Sequence, residues 1–376
     1  MTKHLTLLVL AAAALAGCEQ DRGISDPARA SIEAHAFADG GSGPGAVYTL
    51  TNETTGNAVA VFARAADGTL SPMGTVATGG TGTGDGLGSQ GAVVLSDDGR
   101  WLFAVNAGSN DVSVFRVGPQ GPSLASRTAS GGTLPISLTV HGDVLYVLNA
   151  GGAGNITGFR VRLDGELVGI AGATRPLSGS GVGPAEVAFS PDGRSLVVTE
   201  KATNLLDTYA VDPDGMASGP SSVASAGGTP FGFAFGLRNL LLVTEAADPG
   251  SASSYILDRG SEPRVVSGVV LTHQGAPCWA VVTNDGRFGF TGNGAGSVSA
   301  FTIGRDGSLS LLAAAAATIT GGVNDIALSA DSRYLYVLQV GGTPALHAFR
   351  VQEDGSLTSL GPVGELPAGT RGLAAR

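Results

Sequence analysis

The chain is poor in the residues that usually carry covalent reinforcement or reactive chemistry. Among its 376 residues are two Cys, three Met, two Trp and five His. Two cysteines exclude a disulfide-dense scaffold. Charged residues make up only 14%, and 21 Lys plus Arg face 31 Asp plus Glu for a formal charge of −10. No basic cluster offers a phosphate-tracking stripe, which argues against nucleic acid as a partner. Beyond the first 17 positions no apolar run reaches the ~18 residues of a membrane helix, so a polytopic membrane fold is excluded. What the chain has in excess is glycine, 60 residues, without the every-third spacing of collagen. With 43% hydrophobic residues, it can bury a large core and must turn often.

Met1 to Gly17 sets Lys3 and His4 ahead of an apolar run, Leu5 to Leu15, followed by small residues. That is the layout of an export signal and not part of a fold. Leu15-Ala16-Gly17-Cys18 resembles the lipobox of bacterial lipoproteins, which implies cleavage before Cys18 and acylation of its thiol. The implied location is the bacterial cell envelope, periplasmic or surface-exposed, with the membrane touched only through the lipid. Cys278 then has no disulfide partner, and core burial alone stabilises the fold. Residues 18–44, ending in Gly40-Gly41-Ser42-Gly43-Pro44, read as the lipidated cysteine and a flexible tether. The folded part is expected over residues 45–376.

From there the sequence repeats. An aromatic residue recurs at Phe62, Phe115, Phe159, Tyr209, Tyr255, Phe301 and Phe349, with spacings of 53, 44, 50, 46, 46 and 48. Eight to ten residues before each lies a short apolar strand ending in a polar residue, as in Leu102 to Asn106 and Leu335 to Gln339. Turns recur as well: Asp98-Gly99-Arg100, Asp192-Gly193-Arg194, Asp285-Gly286-Arg287 and Asp331-Ser332-Arg333 before that strand, and Asp-Gly pairs such as Asp164-Gly165 and Asp306-Gly307 after the aromatic. Asp-Gly between alternating strands is a strong hairpin signal. Four short antiparallel strands repeated about every 45 residues describe a propeller blade, which cannot bury both faces alone and stacks in a ring. The expected fold is all-β, a seven-bladed β-propeller of four-stranded blades. The first copy, from Ala46, lacks an innermost strand, so Arg371 to Ala375 is expected to supply it and close the ring.

The residue ending the second strand is Asn52, Asn106, Asn149, Glu200, Glu245, Asn293 or Gln339 in the successive copies. Two readings stand side by side: amides and carboxyls that cap strand ends, or a ring of donors and acceptors around a ligand pocket, with Glu200 and Glu245 as its charged part. The inner strands add Glu186 and Asp325, carboxyls that need water or a partner so near the axis. Lys201 is the one lysine after Lys3 and follows Glu200 directly. Arg175 and His273 fall on loops between copies, Arg175 as a holder of an anionic group or a solvated charge, His273 as a proton carrier or a bystander. Cys278 reads as a packing residue. A calcium ion held by Asn106, Asn149, Glu200, Glu245 and Asn293 is conceivable by ligand type, but no Asp-rich calcium loop is visible, and no cofactor or metal is expected.

Phe189-Ser190-Pro191-Asp192-Gly193-Arg194 and Trp101-Leu102-Phe103-Ala104-Val105-Asn106, with Val112-Ser113-Val114-Phe115, resemble the seven-bladed propeller lactonase family of 6-phosphogluconolactonases and carboxymuconate cyclases. The resemblance covers residues 45–376. It implies hydrolysis, or the reverse cyclisation, of a small neutral or carboxylated lactone at the central channel. Where active members carry Pro-His, this chain has Pro184-Ala185, Pro230-Phe231 and Pro277-Cys278. Ester chemistry needs an activated water and oxyanion donors. On position alone, Glu200 or Glu186 is the base, Lys201, Arg175 and Asn149 are donors, and Asn106, Glu245, Asn293, Asp325 and His273 contact substrate. The other reading is a non-catalytic, envelope-anchored propeller that binds a small ligand or a partner protein.

Overall fold

The computed structural model describes residues 44–258 and 262–376. The expected export signal, Cys18 and the tether up to residue 43 lie outside the described residues. Among the described residues the one helical element is a three-residue 3-10 turn at Leu237–Asn239, and the other regular elements are strands joined by turns and loops. Twenty-eight strands, β1 to β28 in chain order, form seven separate four-stranded antiparallel sheets.

Each sheet is a blade, and six of the seven use four consecutive strands. The exception is the first, in which β1 (Gly45–Leu50), β2 (Ala58–Arg64) and β3 (Leu70–Ala77) accept the last strand of the chain, β28 (Arg371–Ala375), as their innermost member. Tyr48 pairs with Ala374 and Val47 with Ala375, and Thr49 Oγ1 donates to the Gly372 carbonyl at 2.6 Å. The expected closure by the C-terminal segment is therefore the one observed. It leaves the first blade without a bare inner edge.

The repeating aromatics explain why the blades stack. All seven sit on the third strand of their blade, and all are buried. Each fully buried ring contributes about 1.5–3 kcal/mol by removal from water, and a single sheet has no interior in which to place it. The hairpin turns fix the stacking distance. Gly68 has φ +90°, and a Cβ there would run into the Tyr334 ring of the neighbouring blade. The Asp-Gly-Arg turns are clipped in a common way: Asp98 Oδ1 accepts from Ser96 Oγ at 2.7 Å and from the Arg100 N–H at 3.0 Å. Asp192 and Asp285 repeat the pattern with Ser190 and Thr283.

Two features of the inner strands prepare the site. These strands are β4 (Val93–Leu95), β8 (Pro135–His141), β12 (Pro184–Phe189), β16 (Pro230–Phe235), β20 (Pro277–Val282) and β24 (Gly322–Leu328), with β28. Most carry a register shift close to their first residue, between Pro184 and Glu186 in β12 and between Val323 and Asp325 in β24. Such a bulge re-aims the side chain that follows it. Strand β4 has no such shift and is only three residues long.

Candidate functional site in the central channel

A cavity of about 340 Å³ lies on the axis, lined by the middle and carboxyl-terminal parts of the inner strands. Its walls are aliphatic, including Val93, Leu138, Val187, Ile326 and Leu373, and its ionisable members are Glu186 and Asp325. Both follow a bulge, on blades three apart in a ring of seven, so they face each other across the axis. Neither is solvated in the ordinary sense, Glu186 being 6% and Asp325 1% exposed. Glu186 Oε2 accepts the Phe233 N–H at 2.6 Å. Asp325 Oδ1 accepts the Ile326 N–H at 2.8 Å, while Oδ2 has no partner. Burial pushes both carboxyls well above their usual range. Backbone N–H groups of Ile326 and Leu373 oppose this at Asp325, whereas at Glu186 the Asp325 charge adds to it.

At the other end the channel is blocked by a segment of the chain itself. Between β3 and β4 the connection Gly79-Gly80-Thr81-Gly82-Thr83-Gly84-Asp85-Gly86-Leu87-Gly88-Ser89-Gln90-Gly91 crosses the mouth of the ring instead of passing straight to the next blade. Asn52 ties its first half, taking the Thr83 N–H at 3.0 Å and giving Nδ2 to the Asp85 carbonyl at 2.7 Å. Farther on, Ser89 Oγ donates to the Ile136 carbonyl on β8 at 2.8 Å, and Trp279 Nε1 donates to the Ser89 carbonyl at 3.0 Å. Gln90 then enters the channel. Its Nε2 donates to the Ala280 carbonyl at 2.8 Å and its Oε1 accepts the Ala280 N–H at 2.9 Å. The strap explains the brevity of β4, since the residues preceding Val93 are spent in crossing the axis. The cavity therefore runs from Gln90 toward the end of the ring that carries the Asp-Gly-Arg turns.

The polar residues ending the second strands turn into the blade junctions rather than into this cavity. Glu200 accepts from Ser178 N–H at 3.0 Å, Ser178 Oγ at 2.5 Å and Thr203 Oγ1 at 2.6 Å. Glu245 accepts from Gly227 N–H at 2.7 Å and Ser251 Oγ at 2.5 Å. Asn106 donates to Asp111 Oδ1 and Ser113 Oγ, Asn149 to the Ser130 carbonyl and Asn155 Oδ1, and Asn293 to Ser297 and Ser299 hydroxyls. All five are fully buried. Their geometry is that of latches holding each connection to its strand, and hydrogen bonds to a charged acceptor contribute about 1.5–3 kcal/mol each. The five oxygen-bearing side chains weighed for a calcium ion are these same latches.

The remaining sequence candidates are dispersed. Lys201 Nζ donates to the Gly88 carbonyl at 2.5 Å and the Pro184 carbonyl at 3.0 Å, and lies 4.8 Å from the Phe231 ring centre. It clamps the strap, and burial pulls its pKa down to about 8. Arg175 sits on β11 (Leu167–Pro176), the outermost strand of its blade, and donates to the Gly172 and Thr174 carbonyls. His273 is exposed on the loop before β20. Cys278 is buried near Lys201, and burial raises its thiol pKa to about 12. The structure thus brings Glu186 and Asp325 together, and it leaves Glu200, Lys201, Arg175 and His273 out of the cavity lining. Sequence reasoning passed over Gln90 and the strap. Their trace was the longest spacing in the repeat, 53 residues between Phe62 and Phe115, together with glycine at nearly every second position.

A closed ring of seven four-stranded blades around a carboxyl-lined channel defines a β-propeller of the seven-bladed kind. Residues 44–177 match the family model described as Lactonase, 7-bladed beta-propeller. No curated protein matches it. Among solved structures, it is similar to the periplasmic gluconolactonase of Pseudomonas aeruginosa at 19% identity and TM-score 0.71, over 88% of this chain and 98% of that one. It is similar to a Bacteroides fragilis protein provisionally assigned as a 6-phosphogluconolactonase at 18% identity and TM-score 0.68, over 88% and 97%. A Lactobacillus plantarum protein matches at 16% identity and TM-score 0.72, over 88% and 98%. At these identities the likeness is one of fold.

Proposed function

We propose that the protein hydrolyses a small, non-phosphorylated lactone in the central channel, with Asp325 and Glu186 as the reacting pair. The match of residues 44–177 to the lactonase propeller model supports the reaction class. The observation that carries the site is the pairing of two buried carboxyls, one of them with an unpaired oxygen, inside a cavity of small-molecule size. Asp325 Oδ2, without a partner, takes a proton from water while the water oxygen bonds to the lactone carbonyl carbon. Glu186, whose proton burial favours, donates a hydrogen bond to the carbonyl oxygen on which negative charge develops. Collapse breaks the ring C–O bond, the proton held by Asp325 passes to the departing ring oxygen, and a hydroxy acid results. Arg and Lys are missing from the cavity lining, so phosphorylated and carboxylated lactones meet only like charge there, and a neutral ring is the better fit.

The test is acid release in a pH-stat from a panel of neutral, carboxylated and phosphorylated lactones. Asp325→Asn and Glu186→Gln should each lower turnover of the best substrate by about 10²-fold or more. Wild-type turnover in both variants would overturn the assignment. We further propose that Cys18 carries the lipid that anchors the chain at the cell envelope. Cys18→Ser should then abolish labelling by radioactive palmitate and release the protein into the soluble fraction.

A further inference from the structure

Nothing in the channel balances its two carboxyls. The cavity lining holds no Lys, Arg, His or aromatic side chain, and the remaining polar side chains there are Gln90 and Thr139. Gln90 has already committed both its amide atoms to Ala280. Asp325 Oδ2 is left with no hydrogen-bond partner in a residue that is 1% exposed. Two carboxyls facing each other in an apolar cavity repel whenever both ionise, and either a retained proton or an opposite charge between them relieves the cost of removing them from water.

We propose that the central channel is a binding site for a small alkylammonium group, held between Asp325 and Glu186 with its carbon skeleton against the aliphatic wall. Three features select an organic ammonium over a metal ion. Among the described residues no three His, Cys, Asp or Glu side chains stand close enough to hold a metal. A hard divalent cation asks for six or more oxygen ligands, whereas an ammonium has three donors, which two carboxyls satisfy. The wall from Val93 and Leu138 to Ile326 and Leu373 offers hydrocarbon for an alkyl or ring skeleton, which a hydrated ion would not use. A cavity of about 340 Å³ admits a molecule of this size.

Resting on the lactonase reading, this names the substrate class as a lactone that carries an amino substituent beside its carbonyl. In that complex Glu186 is the counter-ion of the ammonium instead of a proton donor. The ammonium itself then brings positive charge to the carbonyl oxygen, and Asp325 remains the acceptor of the proton from water.

The experiment is calorimetric titration of the full chain with n-butylammonium, with n-butanol and calcium chloride as parallel probes, beside pH-stat assays of γ-butyrolactone and α-amino-γ-butyrolactone. Binding of butylammonium, at least tenfold weaker in Asp325→Asn and in Glu186→Gln and not shared by butanol, supports the site. Equal or tighter binding of calcium that competes with the amine overturns the choice of an organic cation. No amine binding alongside hydrolysis of the neutral lactone overturns the inference and leaves the hydrolase reading standing. Amine binding without hydrolysis of either lactone supports the site and removes the hydrolase reading. Thermal unfolding of both variants, expected at or above the wild-type midpoint because a repelling carboxyl is removed, separates lost binding from lost folding.

Discussion

Gln90 and Ala280, 190 positions apart in the chain, are joined by two hydrogen bonds of 2.8 and 2.9 Å between one side-chain amide and one backbone residue. The N–H and C=O of a strand residue point to the same side, so the Gln90 amide occupies the place that a further strand would take on the inner edge of β20. The strap is consequently held by the same groups that pair strands elsewhere in the ring.

Gln90→Ala should leave both Ala280 groups without that partner. At about 1–3 kcal/mol for a buried polar group left unpaired, the thermal midpoint should fall by several degrees. A midpoint within one degree of wild type in calorimetry would show that the strap contributes nothing to stability.

Lys201 offers a separate handle on the strap. Cys278 is 7% exposed, and burial holds its thiol pKa near 12, so a thiol reagent at pH 8 should react slowly with the folded protein. Lys201→Met removes the bonds to the Gly88 and Pro184 carbonyls and should raise the labelling rate of Cys278 at least threefold. An unchanged rate, with the fold intact by circular dichroism, would mean that the clamp does not control access to the mouth.

Asp207 should govern a pH dependence of stability. Its pKa is raised to about 7 by burial and by the neighbouring Glu200, which shares its partner Ser178. A carboxyl that holds its proton in the folded state but loses it near 3.8 when unfolded stabilises most below the unfolded value, and that stability is lost as pH rises through 7. The thermal midpoint should decline between pH 5 and pH 8, and Asp207→Asn should flatten the decline. An equally steep profile in the variant would assign the effect elsewhere.

Removal of Arg371 to Arg376 takes away β28, its pairing with Tyr48 and Val47, and the Leu373 N–H that reaches Asp325. The truncated chain should show no cooperative unfolding transition and should elute as aggregate in gel filtration. A monomeric product that melts cooperatively would show that six blades and an open seventh suffice.

The blades were legible because their signals are local and repeated. A buried aromatic on each third strand and a turn with Asp and Gly or Ser at fixed offsets need no knowledge of distant partners. Glu186 and Asp325 could be placed near the axis because they hold the same position relative to the repeated turns at Asp192 and Asp331. The direction of Glu200 and Glu245 could not be read in the same way. Strand-end position is a property of the repeat, but whether a carboxyl faces the axis or the Ser178 or Ser251 hydroxyl depends on loops that differ from blade to blade. Gln90 was hidden for a related reason, because its partner lies four blades away and leaves no trace in the sequence around it.

The pairing of β1 with β28 also bears on how the molecule comes into being. Thr49 and Gly372 are 323 positions apart, so the first blade waits until residues 371–375 have left the ribosome. Until then β1 presents bare N–H and C=O groups. Loop closure over such a separation is slow, which makes the nascent chain dependent on whatever shields that edge, and makes a lesion in the codons for residues 371–375 as damaging as one in the core.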